Sequence, residues 1–194
     1  MYLTHSELRS SSTKRISKKI ALPLDKRLFR LYICATNHKT KNAMSAYRQI
    51  LYHIVFRTKY SEKTINQNHF NQLKNYIEGI IKNKKCVSFQ INGMEDHIHI
   101  LSDLHPSIAL ADYIKDIKIA SSIWMKASGF FPYFRGWGVK YCALTYAYKE
   151  RDILIHYIKN QQVHHKQESF RNEIKRFFKE ERIDMDEKWF WEDS

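Results

Sequence analysis

Residues 86–103 read CVSFQINGMEDHIHILSD. Two runs rich in β-branched and aromatic residues flank Gly93-Met94, the pattern of two antiparallel strands joined by a tight turn. The spacing predicts one strand over 86–92 and a second over 96–103. In the second, side chains alternate between faces. His97 and His99 therefore share one face, while Ile98 and Ile100 share the other.

Working outward, residues 46–58 (AYRQILYHIVFRT) predict a strand ahead of this pair. Between them, Phe70, Leu73, Ile77, Ile80 and Ile81 recur at the spacing of an amphipathic helix over 66–84. Downstream, His105-Pro106-Ser107 ends the strand, with Ser107 the expected N-cap of a second helix. That helix carries Ala111, Ile114, Ile117, Ser121 and Trp124 along one face. A Gly/Pro/aromatic loop at 129–138 leads to a fourth strand at 140–147. Helices over 149–165 and 169–182 follow, then the tail DEKWFWEDS. The order β-α-β-β-α-β predicts an α+β fold, a ferredoxin-like plait with an antiparallel sheet and its two crossover helices on one face. The remaining helices are additions at the C-terminal end.

Charge divides the chain. Of 194 residues, 33 are Lys or Arg and 20 are Asp or Glu, a formal charge of +13. Residues 1–43 hold +8 of this and show no sustained periodicity. They read as a basic, weakly structured extension, either an arm that grips DNA or sequence upstream of a functional start at Met44. Residues 44–194 read as the regularly patterned, folded domain. A net positive chain favours a polyanionic partner. Cys34, Cys86 and Cys142 are far apart and odd in number with no Cys-x-x-Cys pair, which indicates neither a disulfide framework nor a zinc ribbon and predicts reduced thiols. The N-terminus has no apolar core of a signal peptide, and no apolar run reaches the length of a membrane span, so a cytoplasmic location is expected.

Two histidines on one strand face can bite a single metal ion, although an isolated His-x-His is also compatible with packed or surface histidines. Tyr157 and Gln161, four residues apart, stack on one face of the helix over 149–165. There an amide oxygen can join the ion and a phenol can sit beside it. His156, His164 and His165 are expected at the surface, and no residue stands out as a general base for Tyr157.

The segment from Gly93 to Leu101 (GMEDHIHIL) resembles the HUH motif, His-hydrophobic-His, of single-tyrosine insertion-sequence transposases of the REP-associated and IS-element type. Tyr157-Ile158-Lys159-Asn160-Gln161, 60 residues beyond the first histidine, resembles their catalytic helix. Residues 52–59 (YHIVFRTK), 144–146 (LTY), 164–166 (HHK), Ser169-Phe170 and 186–188 (DEK) are similar to flanking family sequence. Lys140 and Cys142 stand where members commonly carry small residues.

The resemblance implies a transposase that nicks single-stranded DNA. Tyr157 is its nucleophile, and His97, His99 and Gln161 hold a divalent metal, Mg²⁺ or Mn²⁺. Cleavage would leave a 5′-phosphotyrosine that a second 3′-hydroxyl can resolve without ATP. The resemblance also implies a homodimer and a substrate of hairpin ends of the protein's own element. The alternative is a domesticated nickase or hairpin-binding protein that mobilises nothing. Arg57, Lys59, Lys63, Lys115 and Lys118 are the candidate DNA contacts, with Tyr133, Phe134 and Trp137 as candidate base-stacking groups.

Overall fold

A computed structural model describes residues 49–193. The expected extension at 1–43 lies outside the described residues, as does Cys34. Four strands form one sheet: β1 (Leu51–Arg57), β2 (Ser88–Gly93), β3 (His97–Ser102) and β4 (Cys142–Tyr146). Their order is β2-β3-β1-β4, with every neighbouring pair antiparallel. Helices α1 (Phe70–Asn83) and α2 (Leu110–Ala127) make the two crossovers. This is the ferredoxin-like plait expected from the order of elements.

The main core lies between one sheet face and these two helices. Ile54, Phe56, Ile91, Ile98 and Ile100 from the strands pack with Leu73, Ile77 and Ile81 of α1 and with Tyr113, Ile114, Ile117 and Met125 of α2. The expected stripe on α2 is thus shifted. Tyr113 and Met125 are buried, whereas Ala111 is exposed. Ser107 does not cap α2. Its hydroxyl bonds His105 Nδ1 at 2.8 Å, and Ala109 takes the N-cap position. Phe134 and Trp137 belong to this core, and Trp137 donates its indole N–H to Ser121 Oγ at 2.9 Å. Of the three expected stacking groups, only Tyr133 is exposed.

The hairpin between β2 and β3 depends on Gly93. It pairs with Ile98, and a Cβ there would lie 2.3 Å from the His97 carbonyl oxygen and 2.8 Å from Ile98 Cα. Any side chain would push β3, and hence both histidines, out of register.

The other sheet face is covered by the C-terminal third of the chain. After a short 3₁₀ turn come α3 (Arg151–Lys159), α4 (Gln161–His164), α5 (Phe170–Glu180) and α6 (Glu187–Trp191). Leu154 and Ile158 of α3 pack on Leu51 and Leu101, while Phe170, Ile174, Phe177 and Phe190 pack on Val55, Cys142 and Leu144. The sequence predicts one continuous helix over 149–165, but it breaks at Asn160. The cause is Asn92 on β2, whose side-chain amide donates to the carbonyls of Ile158 and Lys159, both at 2.9 Å. Those carbonyls would otherwise accept the next intrahelical bonds. Ser169 caps α5 and Asp186 caps α6, each accepting from a backbone N–H three residues on. Cys86 and Cys142 are buried and form no disulfide.

Candidate active site and metal centre

On β1 and β3 the residues facing α3–α5 include His53, His97 and His99, all buried. Each histidine of β3 is held through Nδ1. His97 Nδ1 lies 2.6 Å from Asp96 Oδ1, and His99 Nδ1 lies 3.0 Å from His53 Nε2. His165, just past α4, repeats the arrangement with Nδ1 donating to the Glu168 carbonyl at 2.9 Å. All three therefore present Nε2 inward, the orientation that outer hydrogen bonds impose on metal-binding imidazoles.

The inward atoms converge on Glu173 of α5, which is fully buried. Its Oε2 lies 3.2 Å from His165 Nε2, 3.5 Å from His99 Nε2 and 4.0 Å from His97 Nε2. One ligand atom from each of His97, His99, His165 and Glu173 falls within 4.8 Å of the others. Gln161 is also fully buried, and its Nε2 donates to Glu173 Oε1 at 3.3 Å. Buried polar atoms normally find hydrogen-bond partners, yet His99 Nε2, Gln161 Oε1 and Glu173 Oε2 have none. Three orphaned donor atoms in one buried cluster are what a cation would satisfy, so these residues fit a divalent metal.

The electrostatics agree. Burial, reinforced by neighbouring His99, lowers His53 to about 3, and burial likewise brings His97 to about 4 despite its bond to Asp96. Both imidazoles are neutral at pH 7, as metal ligation requires. Burial by itself would push the Glu173 carboxyl up. The facing His99, together with contacts to His165 and Tyr157, outweighs it and holds the group well below the usual carboxylate range. For His165, burial works downward, but the adjacent Glu173 carboxylate, 3.2 Å away, outweighs it and moves the imidazole up.

The hydroxyl of Tyr157 donates to Glu173 Oε1, the oxygen that also receives Gln161. Arg176 Nη2 donates to the same hydroxyl at 3.2 Å, and His164 Nε2 lies 3.3 Å from it. Arg176 is itself fixed by Glu168 and Glu180. Burial first, then the charge of Glu173, raise the Tyr157 pKa, with Arg176 acting in the opposite direction. The phenol is therefore protonated at rest beside an ionised carboxylate.

All four residues expected to do chemistry, Tyr157, His97, His99 and Gln161, come together in one chain. His164 and His165 are corrected: neither is a bare surface group. Glu173 is an addition that the sequence reading does not contain. A signal for it exists, since it lies at i+3 from Phe170 and i−4 from Phe177, on the apolar stripe of α5.

The five basic candidates divide. Arg57 is buried, with its guanidinium paired to Asp193 and a second N–H reaching the Phe190 carbonyl at 3.5 Å, so it is not on the surface. Lys118 donates to the carbonyls of Gly138, Val139 and Lys140 at 2.9–3.0 Å, so its ammonium is largely spent on that loop. Lys59, Lys115 and Lys118 nevertheless line one open groove of about 490 Å³, together with Arg135. Lys63 is exposed and lies 3.5 Å from Glu95.

The sequence pattern of the family described as "Transposase IS200 like" matches residues 46–161. This chain belongs to that family. The ISDra2 transposase TnpA of Deinococcus radiodurans is 26% identical over 120 residues, covering 58% of this chain and 84% of that protein. Among solved structures, a Deinococcus radiodurans protein described as a transposase is 26% identical, covers 63% of this chain and 98% of its own, and gives a TM-score of 0.49. A REP-associated tyrosine transposase bound to a REP hairpin is 15% identical, covers 63% of this chain and 74% of its own, and gives 0.43. The family match ends at Gln161, so His165 and Glu173 lie beyond it. Among the described residues, no helix is long and apolar enough to cross a membrane.

Proposed function

We propose that this IS200-like transposase cuts and rejoins single-stranded DNA by transesterification, with Tyr157 as nucleophile and a transient 5′-phosphotyrosine link. The observation that carries this reading is the hydrogen bond from the Tyr157 hydroxyl to Glu173, a carboxylate whose other oxygen faces the strand histidines. His97, His99 and Gln161 would hold a divalent ion, Mg²⁺ or Mn²⁺, which would supply positive charge at the scissile phosphate.

The chain's own groups do the rest. Tyr157 Oη forms a bond to phosphorus as the P–O3′ bond breaks. The phenol is protonated at rest, so its proton must leave during attack, and Glu173 Oε1 is the acceptor already in contact. The 3′-oxygen departs as a hydroxyl, taking up a proton from water. Arg176, 3.2 Å from Oη, offsets charge on the phenolate whenever the tyrosine is the leaving group, as it is in rejoining. The linkage retains the energy of a phosphodiester, so an incoming 3′-hydroxyl can reverse the step without ATP.

The proposed substrate is the hairpin-bearing end of the protein's own element, with Lys59, Lys115 and Lys63 along its path. A homodimer acting in the cytoplasm completes the reading. The test is a denaturing gel with labelled single-stranded DNA from the element's ends, with Mg²⁺ or Mn²⁺, comparing wild type with Tyr157→Phe. A protein–DNA adduct that requires the ion and is absent in Tyr157→Phe is expected. Persistence of the adduct in the variant would move the nucleophile elsewhere. Tight binding without any adduct would favour a hairpin-binding protein that no longer mobilises an element.

A further inference from the structure

Three features of the cluster reach past the ligand set His97, His99 and Gln161. The first is spacing. His97 Nε2 and His165 Nε2 are 3.0 Å apart, and Glu173 Oε2 stands 3.2, 3.5 and 4.0 Å from the Nε2 atoms of His165, His99 and His97. Ligand atoms bonded to one ion at roughly 2.0–2.1 Å lie about 2.9 Å apart at right angles and about 4.1 Å apart when opposite. These four of the six separations fall inside that window, and the whole set stays within 4.8 Å. The second is tautomer. Nδ1 of His97 is occupied by Asp96 and that of His165 by the Glu168 carbonyl, so two Nε2 lone pairs face each other across 3.0 Å. Such a pair is satisfied by a proton on one ring or by a cation beside both. The third is that Glu173 Oε2, buried among these nitrogens, accepts no hydrogen bond.

We propose that His165 and Glu173 are direct ligands of the ion alongside His97, His99 and Gln161, giving a three-imidazole site that selects a first-row transition ion over Mg²⁺. The inference rests on the reading above that the strand histidines hold an ion. Its physical basis is ligand preference. Mg²⁺ favours oxygen and keeps several waters, whereas imidazole suits the transition ions. Five protein donors, three of them imidazoles, leave little space for retained water. Glu173 then touches both halves of the site, the ion through Oε2 and the nucleophile through Oε1.

The experiment uses the full chain, stripped of metal and free of DNA, so that it does not depend on cleavage. Calorimetric titration with MnCl₂, CoCl₂ and MgCl₂ is expected to give one Mn²⁺ or Co²⁺ per chain, bound at least about 100-fold more tightly than Mg²⁺. His165→Ala and Glu173→Gln should each weaken Mn²⁺ by roughly 10–100-fold with an unchanged circular dichroism spectrum. Pulsed electron paramagnetic resonance of bound Mn²⁺ counts coordinated imidazoles on the wild type itself. Three are expected there and two in His165→Ala. Two imidazoles in the wild type, unchanged affinity in both variants, or Mg²⁺ bound as tightly as Mn²⁺ would each overturn the proposal. A Tyr157-dependent adduct can still form in any of those cases, which separates this failure from failure of the transesterification reading.

Discussion

Ile98 and Ile100 of β3 lie against α1 and α2, while His97 and His99, one residue along, lie against the segment from α4 to α5. Both pairs are buried to the same degree. Burial on the isoleucine side removes apolar area from water, which stabilises the fold directly. On the histidine side, the same degree of burial strips water from imidazoles and a carboxylate, which costs stability unless partners compensate. Compensation there is incomplete, because three donor atoms in the cluster are orphaned. The sheet thus separates two tasks between its faces. One holds the domain together, and the other keeps polar atoms poised at the expense of the first.

The largest effects should come from exchanging these roles. Ile100→Ala should lower the unfolding free energy by about 2–5 kcal/mol, measured by urea denaturation in the presence of a chelator. His99→Ala should cost clearly less under the same conditions, yet abolish the covalent DNA adduct. Equal destabilisation by the two variants would mean that the histidine face is also a stabilising core, and the contrast would fail.

Acid sharpens the same comparison. The pKa values of His53 and His97 are depressed to about 3 and about 4, against 6.5 in the unfolded chain. Between pH 6.5 and 4 the unfolded chain therefore binds protons that the folded chain refuses, so stability falls as pH drops through that window. His165, shifted upward, contributes in the opposite sense: its stabilisation is present below pH 6.5 and lost as pH rises. The net expectation for metal-free protein is a loss of about 3–4 kcal/mol between pH 7 and pH 5. Each of two protons bound only by the unfolded chain is worth roughly 1.4 kcal/mol for each pH step of one below 6.5, and His165 offsets this only above pH 6.5. A flat urea midpoint across that range would show that these imidazoles are not held neutral.

How much of this was legible in the sequence follows from the range of the interactions. Strand alternation at 96–103 is local, so the shared face of His97 and His99 can be read directly, as can the helical spacing from Tyr157 to Gln161. The break at Asn160 cannot, because it is imposed by Asn92 from a strand more than 60 residues away. Glu173 meets Tyr157 only through the docking of α5 on the sheet. Its position within an apolar stripe signals burial but not its partner. His164 and His165 read as surface residues for the same reason. Arg57 stands at the end of a strand where basic groups often face solvent, but the tail folds back and pairs Asp193 with it. In each case the missing information is a tertiary contact with no local signature.

The smallest expected effect separates two lysines of one helix. Lys115 and Lys118 line the same groove beside α2. Lys115 is exposed and forms no hydrogen bond or ion pair among the described residues, whereas Lys118 bridges three consecutive carbonyls of the 138–140 loop. If the groove carries a DNA strand, Lys115→Ala should weaken binding alike for all sequences and lower the salt slope by about 0.7 per lost phosphate contact. It should leave the urea midpoint unchanged. Lys118→Ala should instead lower stability, by about 1–3 kcal/mol, because the loop carbonyls lose their donor. That loop adjoins Asp193, which accepts from the Val139 amide at 3.2 Å and pairs with Arg57 at the end of β1. Loosening it by loss of Lys118 should therefore also disturb the edge of the histidine face, whereas loss of Lys115 should not. Reversal of the two phenotypes would place the DNA path at Lys118 and remove the groove's outer lysine from it.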